Sequence, residues 1–471
     1  MEEKNENKDI ISLIDNKNQI NDYNSGMIKK NIDEKDEVLE IIKNEEQNSQ
    51  NKECLEKEIE YINDKKKYIS LINDEFDFKF DILLKQILPV GLKNLGNSCF
   101  MNSCLQCFYH CSEFTSELLK NYQKYENIKS PVLFGYLEVL KNLYINGKEP
   151  SKREFIKLYK NDENEYENDY CCGCCRRKRP KENCKVIFYK NETNPASAFH
   201  LYSYIIKNYS NLLYEGGSDP KIVAEMILST MNKEINSNFK YIRDKEIPKD
   251  NEASLFNHIF NYYQNNKTVV SSNFYWIKER ISICNECGKE TYNFQSDHIL
   301  YFYPEAIING LNLKFDEEEN IYKLSLENCF EYFHISEQLD INSFTCKLCN
   351  KRVNAKSILY YMATLPKYLV LCLCKDKDEK NPINYKLDYN QEINLEKYYK
   401  KFPQNNYSAK YKFHCGCYSR SDYSHMVAFC VHFDGLIYEF NDSCYKENNF
   451  FNSSKNSTWE VPYLLFLKRE D

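Results

Sequence analysis

Three groups of cysteines carry the spacing that chemistry needs. The first centres on Cys99, inside Gly91-Leu92-Lys93-Asn94-Leu95-Gly96-Asn97-Ser98-Cys99-Phe100-Met101-Asn102-Ser103-Cys104-Leu105-Gln106-Cys107. A turn at Gly96-Asn97 and an N-cap at Ser98 lead into a helical pattern whose first residue is Cys99. Unpaired backbone N–H groups and the helix dipole at such a position favour thiolate over thiol, the form that acts as a nucleophile. The alternative is that Cys99 is one more small buried cysteine in a chain that has 21 of them. The second group is a pair of Cys-x-x-Cys motifs, Cys284/Cys287 and Cys346/Cys349, separated by a long insertion. Two such knuckles together read as one tetrahedral four-thiolate zinc site that staples distant hairpins; a redox pair is the competing reading for either motif alone. The third is Cys171, Cys172, Cys174, Cys175 and Cys184, set among Arg and Lys residues. Adjacent cysteines diverge and make poor chelators, so a mobile insertion with free thiols competes there with a second zinc.

The elements that must position these groups follow from the pattern around them. Phe100, Cys104, Leu105, Phe108 and Cys111 recur near helical spacing and give the Cys99 helix a buried face. Helical patterns follow around Val132 to Tyr144 and Arg153 to Tyr159. Gly216-Gly217-Ser218-Asp219-Pro220 caps another helix, with Asp219 or Ser218 at the N-cap, Pro220 in the first turn and Ile222, Val223, Met226 and Ile227 on its core face. From Val269 onward the chain is expected to be β-rich. Near the C-terminus, Ser424 to Phe433 and Leu436 to Asp442 read as strands joined by a two-residue turn at Asp434-Gly435.

The Cys99 stretch resembles the cysteine box of the ubiquitin-specific protease family, papain-like deubiquitinating enzymes whose usual form is Gly-Leu-x-Asn-x-Gly-Asn-Thr-Cys-Tyr/Phe-Met-Asn-Ser-x-Leu-Gln. Only Ser98, for the usual threonine, departs from it. The later segments are similar to other parts of the same family. Leu365-Pro366-Lys367-Tyr368-Leu369 resembles its Leu-Pro-x-x-Leu strand, here without the Arg-Phe ending. His414-Cys415-Gly416, His425 and Tyr438-x-Phe440-Asn441-Asp442 resemble its histidine box, with Ser424, Met426 and Ile437 in place of Gly, Tyr and Trp. Pro462 to Leu467 is similar to its closing strand. At Asp219 and Glu225 the match to the family's Gln-Gln-Asp-Ala-x-Glu-Phe is partial, and neither residue is counted as catalytic.

The resemblance implies an α+β papain-like fold with thumb, palm and zinc-stapled β fingers over residues 89–471, the fingers at about 270–365. It implies that Cys99 attacks the carbonyl after the C-terminal glycine of ubiquitin, that His425 takes the thiol proton, and that an acyl-enzyme is then hydrolysed. Asn94 with the Cys99 N–H would form the oxyanion hole, Asn441 would hold the imidazole, and Asp442 would be a second polar helper. Ubiquitin and ubiquitinated proteins would be the partners, and one structural Zn2+ on Cys284, Cys287, Cys346 and Cys349 the cofactor. Two alternatives stand beside this reading: a protease for a ubiquitin-like modifier, and a catalytically weak ubiquitin-binding scaffold. A two-residue turn would pair Phe433 with Leu436 and set His425 opposite Cys444, three residues from Asn441. A bond between Asn441 and His425 therefore requires an irregular hairpin, with a bulge, a longer turn or a strong twist.

Composition bounds the rest. The 471 residues carry a net charge of −7, mean hydropathy is −0.68, and the longest apolar run, Tyr368 to Cys374, falls far short of the roughly 20 residues of a membrane span. The charged start with no apolar segment after it leads us to expect a reducing cytoplasmic or nuclear setting, without membrane insertion. The acidic balance disfavours nucleic acid, and the basic run Arg176 to Arg179 reads as a solvated loop. Residues 1–85 are rich in Glu, Lys, Asn and Asp and hold too little apolar surface to offset ordering, so we expect a largely disordered extension open to a regulatory partner.

Overall fold

The computed structural model describes residues 87–470 except 129, 149–194, 215–218, 238–251, 335–343, 347–348, 354, 375–383, 389–391, 406, 421–424 and 449–458. The N-terminal extension, the Cys171 to Cys184 cluster, the basic run, the 153–159 segment and Ser424 lie outside the described residues.

One layer is helical and the other is a sheet. The helices that matter for the site are α1 (Cys99–His110), α2 (Ser112–Lys120), α3 (Pro131–Lys148), α4 (Phe199–Tyr214), α5 (Pro220–Glu225) and α6 (Val269–Phe274). All twelve residues of α1 are buried, which makes it a core helix enclosed on every side. Phe108 anchors it, with the rings of Phe274 and Phe466 edge-on at 5.3 and 5.0 Å. The expectation of strand from Val269 is corrected over six residues: α6 is helical because Thr268 and Ser271 form a reciprocal capping box, each side chain bonded to the other's backbone N–H. Strand begins only at Trp276.

The strands that bear on the site are β1 (Trp276–Cys284), β2 (Glu290–Asp297), β3 (Leu300–Phe302), β4 (Phe344–Cys346), β5 (Lys351–Val353), β6 (Ala355–Met362), β7 (Tyr368–Leu373), β8 (Glu392–Asn394), β9 (Lys410–Arg420), β10 (Met426–Val431), β11 (Ile437–Asn441), β12 (Cys444–Glu447) and β13 (Trp459–Arg469). An eight-stranded sheet runs β12-β11-β10-β9-β13-β7-β3, with β8 also on β9. Strand β7, the Leu-Pro-x-x-Leu continuation, is buried at all six positions, as a central strand covered on both faces must be. Helix α1 packs against β10 and β9 and α5 packs against α1. A separate sheet, β2-β1-β6, and the short β4-β5 hairpin carry the two Cys-x-x-Cys turns.

The β10-β11 hairpin decides the site, and it departs from the two-residue turn expected at Asp434-Gly435. Val431 pairs with Ile437 and Ala428 with Phe440, so the loop is three residues, Phe433-Asp434-Gly435. The His432 N–H donates to the Leu436 carbonyl at 2.8 Å and the Gly435 N–H to the His432 carbonyl at 2.9 Å. Gly435 stands at φ +87° while Asp434 keeps a negative φ; a two-residue type I′ turn needs positive φ at both. The Asp434 carboxylate also accepts the Leu436 N–H at 2.8 Å. The irregular hairpin anticipated from sequence is thus realised as a longer turn with a glycine bulge.

Candidate active site and metal centre

Building from Cys99 outward, the preceding loop turns on Gly96 and Asn97, both at positive φ (+94° and +49°). Ser98 occupies the cap position, but its hydroxyl does not bond a helix N–H; it accepts the Leu95 N–H at 2.9 Å instead. The expected side-chain cap is therefore replaced by a loop brace. Asn94 completes that brace: its Oδ1 accepts from the Gly96 N–H at 3.0 Å and the Ser98 N–H at 3.3 Å. Cys99 is left at the first turn of a buried helix, as the pattern predicts.

The far wall comes from β10 and β11. His425 immediately precedes β10, and its Nε2 lies 2.8 Å from Oδ1 of Asn441 at the end of β11. Asn441 carries only an acceptor at that oxygen, so Nε2 bears the proton and Nδ1 is left to accept one. Register explains the pairing. Carried one step past the Ala428–Phe440 pair, the observed register sets Asn441 opposite Val427, two residues from His425 and on its side of the sheet by strand alternation; the two-residue turn would have set it opposite Ala428, on the other side. Both groups are buried.

Asp442 follows at φ +49°, out of strand alternation, and does something different. Its Oδ2 accepts from the Asn94 side-chain amide at 2.8 Å and its Oδ1 from the Asn102 amide at 2.8 Å. His425 Nε2 is farther off, at 3.8 Å from Oδ2. The Asp442 carbonyl accepts the Leu92 N–H at 2.8 Å. Gly91 makes this approach possible, since a Cβ there would fall 2.3 Å from the Ser443 carbonyl atoms. Burial pushes the Asp442 carboxyl above its usual range, with His425 and the two amides pulling the other way. One carboxylate thus ties the loop before Cys99, the Cys99 helix and the end of the imidazole hairpin into one unit.

Asn102 and Gln106 are parts of this frame to which the sequence reading gave no role. The Asn102 amide also donates to the Lys93 carbonyl at 3.1 Å, and the Gln106 amide to the Val90 carbonyl at 2.7 Å. The available signal was spacing: Cys99, Asn102, Gln106 and His110 form a polar stripe at helical intervals on a helix whose other residues, Ser103 apart, are apolar or aromatic. His414, matched only by its motif, is a core residue whose Nε2–H donates to the His110 carbonyl at 2.8 Å. Asp219 caps α5 through the Lys221 N–H at 2.8 Å, and Glu225 is held by His298 at 2.9 Å and by the Tyr301 hydroxyl. Both are occupied structurally.

Cys284, Cys287, Cys346 and Cys349 converge, with all four sulfurs within 4.8 Å of one another. Sγ of Cys284 lies 3.9 Å from that of Cys349, and Sγ of Cys287 lies 3.7 Å from that of Cys346. A zinc–sulfur bond of about 2.3 Å in a tetrahedron gives sulfur–sulfur edges of about 3.8 Å. The donor set therefore fits a structural zinc, shared by the β1-β2 turn and the β4-β5 hairpin. The knuckle is preformed by backbone bonds: Gly288 N–H to the Cys284 carbonyl and Cys284 N–H to the Lys289 carbonyl, each at 2.9 Å. Among the described residues no helix is long and apolar enough to cross a membrane.

Comparison with known proteins places this geometry. Residues 90–466 match the family described as ubiquitin carboxyl-terminal hydrolase. The probable ubiquitin carboxyl-terminal hydrolase 4 of Schizosaccharomyces pombe is 22% identical over 295 residues, covering 60% of this chain and 41% of that protein. The inactive ubiquitin-specific protease 5 of Oryza sativa subsp. japonica is 45% identical over 42 residues, 9% of this chain and 11% of that protein. The chain thus spans less than half the length of these curated relatives. A solved structure of the SAGA Ubp8/Sgf11/Sus1/Sgf73 DUB module bound to ubiquitin aldehyde superposes with a TM-score of 0.53 at 18% identity, covering 86% of this chain and 75% of that one. The fold is therefore that of the ubiquitin-specific protease structures.

Proposed function

The chain belongs to the ubiquitin carboxyl-terminal hydrolase family, and on that footing we propose that it is a thiol-dependent deubiquitinase cleaving the peptide or isopeptide bond after the C-terminal glycine of ubiquitin. The observation that carries this reading is the 2.8 Å bond from His425 Nε2 to Asn441 Oδ1, made beside a helix that begins at Cys99. It fixes the tautomer in which Nδ1 can take a proton, the state a general base for a thiol needs.

In the proposed reaction the Cys99 sulfur gives its proton to His425 and attacks the glycine carbonyl. Charge developing on that oxygen is met by the Cys99 backbone N–H and by the second amide hydrogen of Asn94, the first being held by Asp442. Collapse expels the leaving amine with a proton from His425; water, deprotonated by the same imidazole, then hydrolyses the thioester. Asn441 orients the ring and Asp442 orients Asn94. Zinc held by Cys284, Cys287, Cys346 and Cys349 would cross-link the two hairpins and take no part in bond breaking. Reduced thiols at all these positions suit a cytoplasmic or nuclear site of action.

The test uses ubiquitin carrying a C-terminal electrophile. A covalent adduct on Cys99 that is absent in Cys99→Ala, with hydrolysis of a ubiquitin amide by the unmodified chain, supports the proposal. Tight ubiquitin binding with neither adduct nor turnover would replace it with a ubiquitin receptor, and an adduct only with a ubiquitin-like protein would change the substrate.

A further inference from the structure

Beyond the site at Cys99, Cys372 and Cys374 form a second arrangement of thiols, at the end of β7. Cys372 is the fifth residue of that strand and wholly buried; Cys374 stands one residue past its end and keeps 8% of its surface exposed. Their sulfurs are 3.7 Å apart. The Cys374 N–H donates to the Phe302 carbonyl at 2.7 Å, which fixes the backbone from which its side chain leaves. Cys107 and Cys417, 3.6 Å apart, have no exposed surface, and Cys415, which also feels a lysine ammonium (Lys468), is likewise wholly enclosed.

Around Cys374 the surroundings favour charge. The Cys372 thiol at 3.7 Å does most to favour charge on its sulfur, the Lys221 ammonium and the Tyr303 hydroxyl add to it, and burial and Asp219 oppose them. Together these hold Cys374 down to about 7 while Cys372, the donor of the pair, is pushed up. Lys221 is itself held in place, its Nζ 4.6 Å above the Tyr301 ring. Tyr463 and Asp219 complete the group of ionisable side chains around the pair. An ordinary buried cysteine has a neutral apolar shell; this one has a neighbouring thiol at 3.7 Å and a lysine and a tyrosine hydroxyl that favour its charged form.

We propose that Cys374 and Cys372 are a hydroperoxide-reactive thiol pair, with Cys374 the attacking sulfur and Cys372 the resolving one. The Cys374 thiolate attacks one oxygen of the hydroperoxide, the O–O bond breaks, and hydroxide or alkoxide leaves with the electron pair. Sulfur is oxidised by two electrons to the sulfenic acid and the peroxide is reduced. Cys372 then attacks the Cys374 sulfur: its S–H proton and the sulfenic hydroxyl leave together as water, and an S–S bond replaces the S–O bond. Closing from 3.7 Å to a disulfide of about 2.05 Å needs a movement of about 1.7 Å, which falls on the residue past the strand end. A disulfide across two positions of one strand is tight, so thiols reduce it readily and the change is reversible.

This inference does not depend on the reaction proposed at Cys99, and its test reads the thiols directly. The reduced, zinc-loaded full chain is treated with limiting hydrogen peroxide, free thiols are alkylated, and peptides are mapped by mass. The expected product is a peptide holding Cys372 and Cys374 in an internal disulfide, lost on adding dithiothreitol. In Cys372→Ser the sulfenic acid has no resolving partner and is trapped on Cys374 by dimedone. Lys221→Gln should slow modification of Cys374 on the order of 3- to 10-fold by raising its thiol pKa. Peroxide that oxidises other cysteines while Cys372 and Cys374 are both still alkylated as free thiols overturns the proposal, as does a Cys372→Ser chain that gives no dimedone adduct on Cys374.

Discussion

The side-chain amide of Asn94 donates to the carboxylate of Asp442 at 2.8 Å, joining the loop before Cys99 to the end of β11 across almost the whole chain. The same carboxylate takes the Asn102 amide and stands 3.8 Å from the imidazole. In the proposed mechanism Asp442 would aim the oxyanion donor, and its removal frees two buried amides. Asp442→Ala should lower kcat on the order of 10²-fold, comparable to loss of an oxyanion donor, and cost about 1 to 3 kcal/mol of stability from unpaired amide groups. Turnover of a minimal ubiquitin substrate and a thermal melt, read together, check both. Near-wild-type kcat in a folded Asp442→Ala protein would remove Asn94 from the mechanism.

Asn441 makes a separate prediction. Without it the His425 Nε2–H loses its acceptor and the ring its tautomer, so Asn441→Ala should lower kcat by about 10²-fold and leave KM within about 3-fold. Asn441→Asp restores an acceptor in place and should recover most of the loss. If Asn441→Ala is active and Asp442→Ala inactive with an undisturbed Asn94, the orienting role belongs to Asp442.

Which of these two neighbours faces His425 was not legible from the residue types, because both are polar and adjacent. It is set by one residue of hairpin register, and the register is set by the turn. Asp434-Gly435 offers a strong two-residue signal, yet Asp434 does not take the positive φ that such a turn demands. The Cys99 helix was easier: Phe100, Leu105 and Phe108 repeat at its period, and the Gly96-Asn97 turn before it has little conformational choice. The capping box at Thr268 and Ser271 was overlooked since β-branched Val269 and Val270 read as strand. The clustering of Cys284, Cys287, Cys346 and Cys349 was legible because a tetrahedral thiolate site dictates such spacing, whereas the Asn102 and Gln106 contacts depend on a partner segment that only folding brings near.

The four-cysteine centre leads to a metal prediction. Purified reduced protein should hold one zinc per chain, and Cys349→Ser should bind it on the order of 10- to 100-fold more weakly, since three thiolates leave the tetrahedron open. Because the ligands come from two hairpins, stripping the metal should expose β1, β2, β4 and β5 to proteolysis before the α1 region. Metal analysis and limited digestion with and without chelator check this. A protein that is zinc-free as purified and digests identically in both states would leave the four thiols without a metal.

His414 gives stability a pH dependence whose sign is fixed by its burial. Enclosed against the His110 carbonyl, with Lys468 adding to the effect of burial and Glu113 opposing it, the imidazole is held down to about 4; in the unfolded chain it titrates near 6.5. Between those values the unfolded chain binds a proton that the folded one refuses, so unfolding becomes easier as pH falls. The contribution is fully present above about pH 6.5, declines through the window and amounts to about 3 kcal/mol lost by about pH 4. Carboxylates titrate in part of the same range, so the measurement is a comparison. His414→Gln keeps an N–H for the His110 carbonyl and does not titrate, and its denaturant midpoint should fall less steeply than wild type between pH 6.5 and 4.5. Parallel slopes for the two proteins would show that His414 gains its proton in the folded state as readily as in the unfolded one, contrary to its enclosure by α1 and β9.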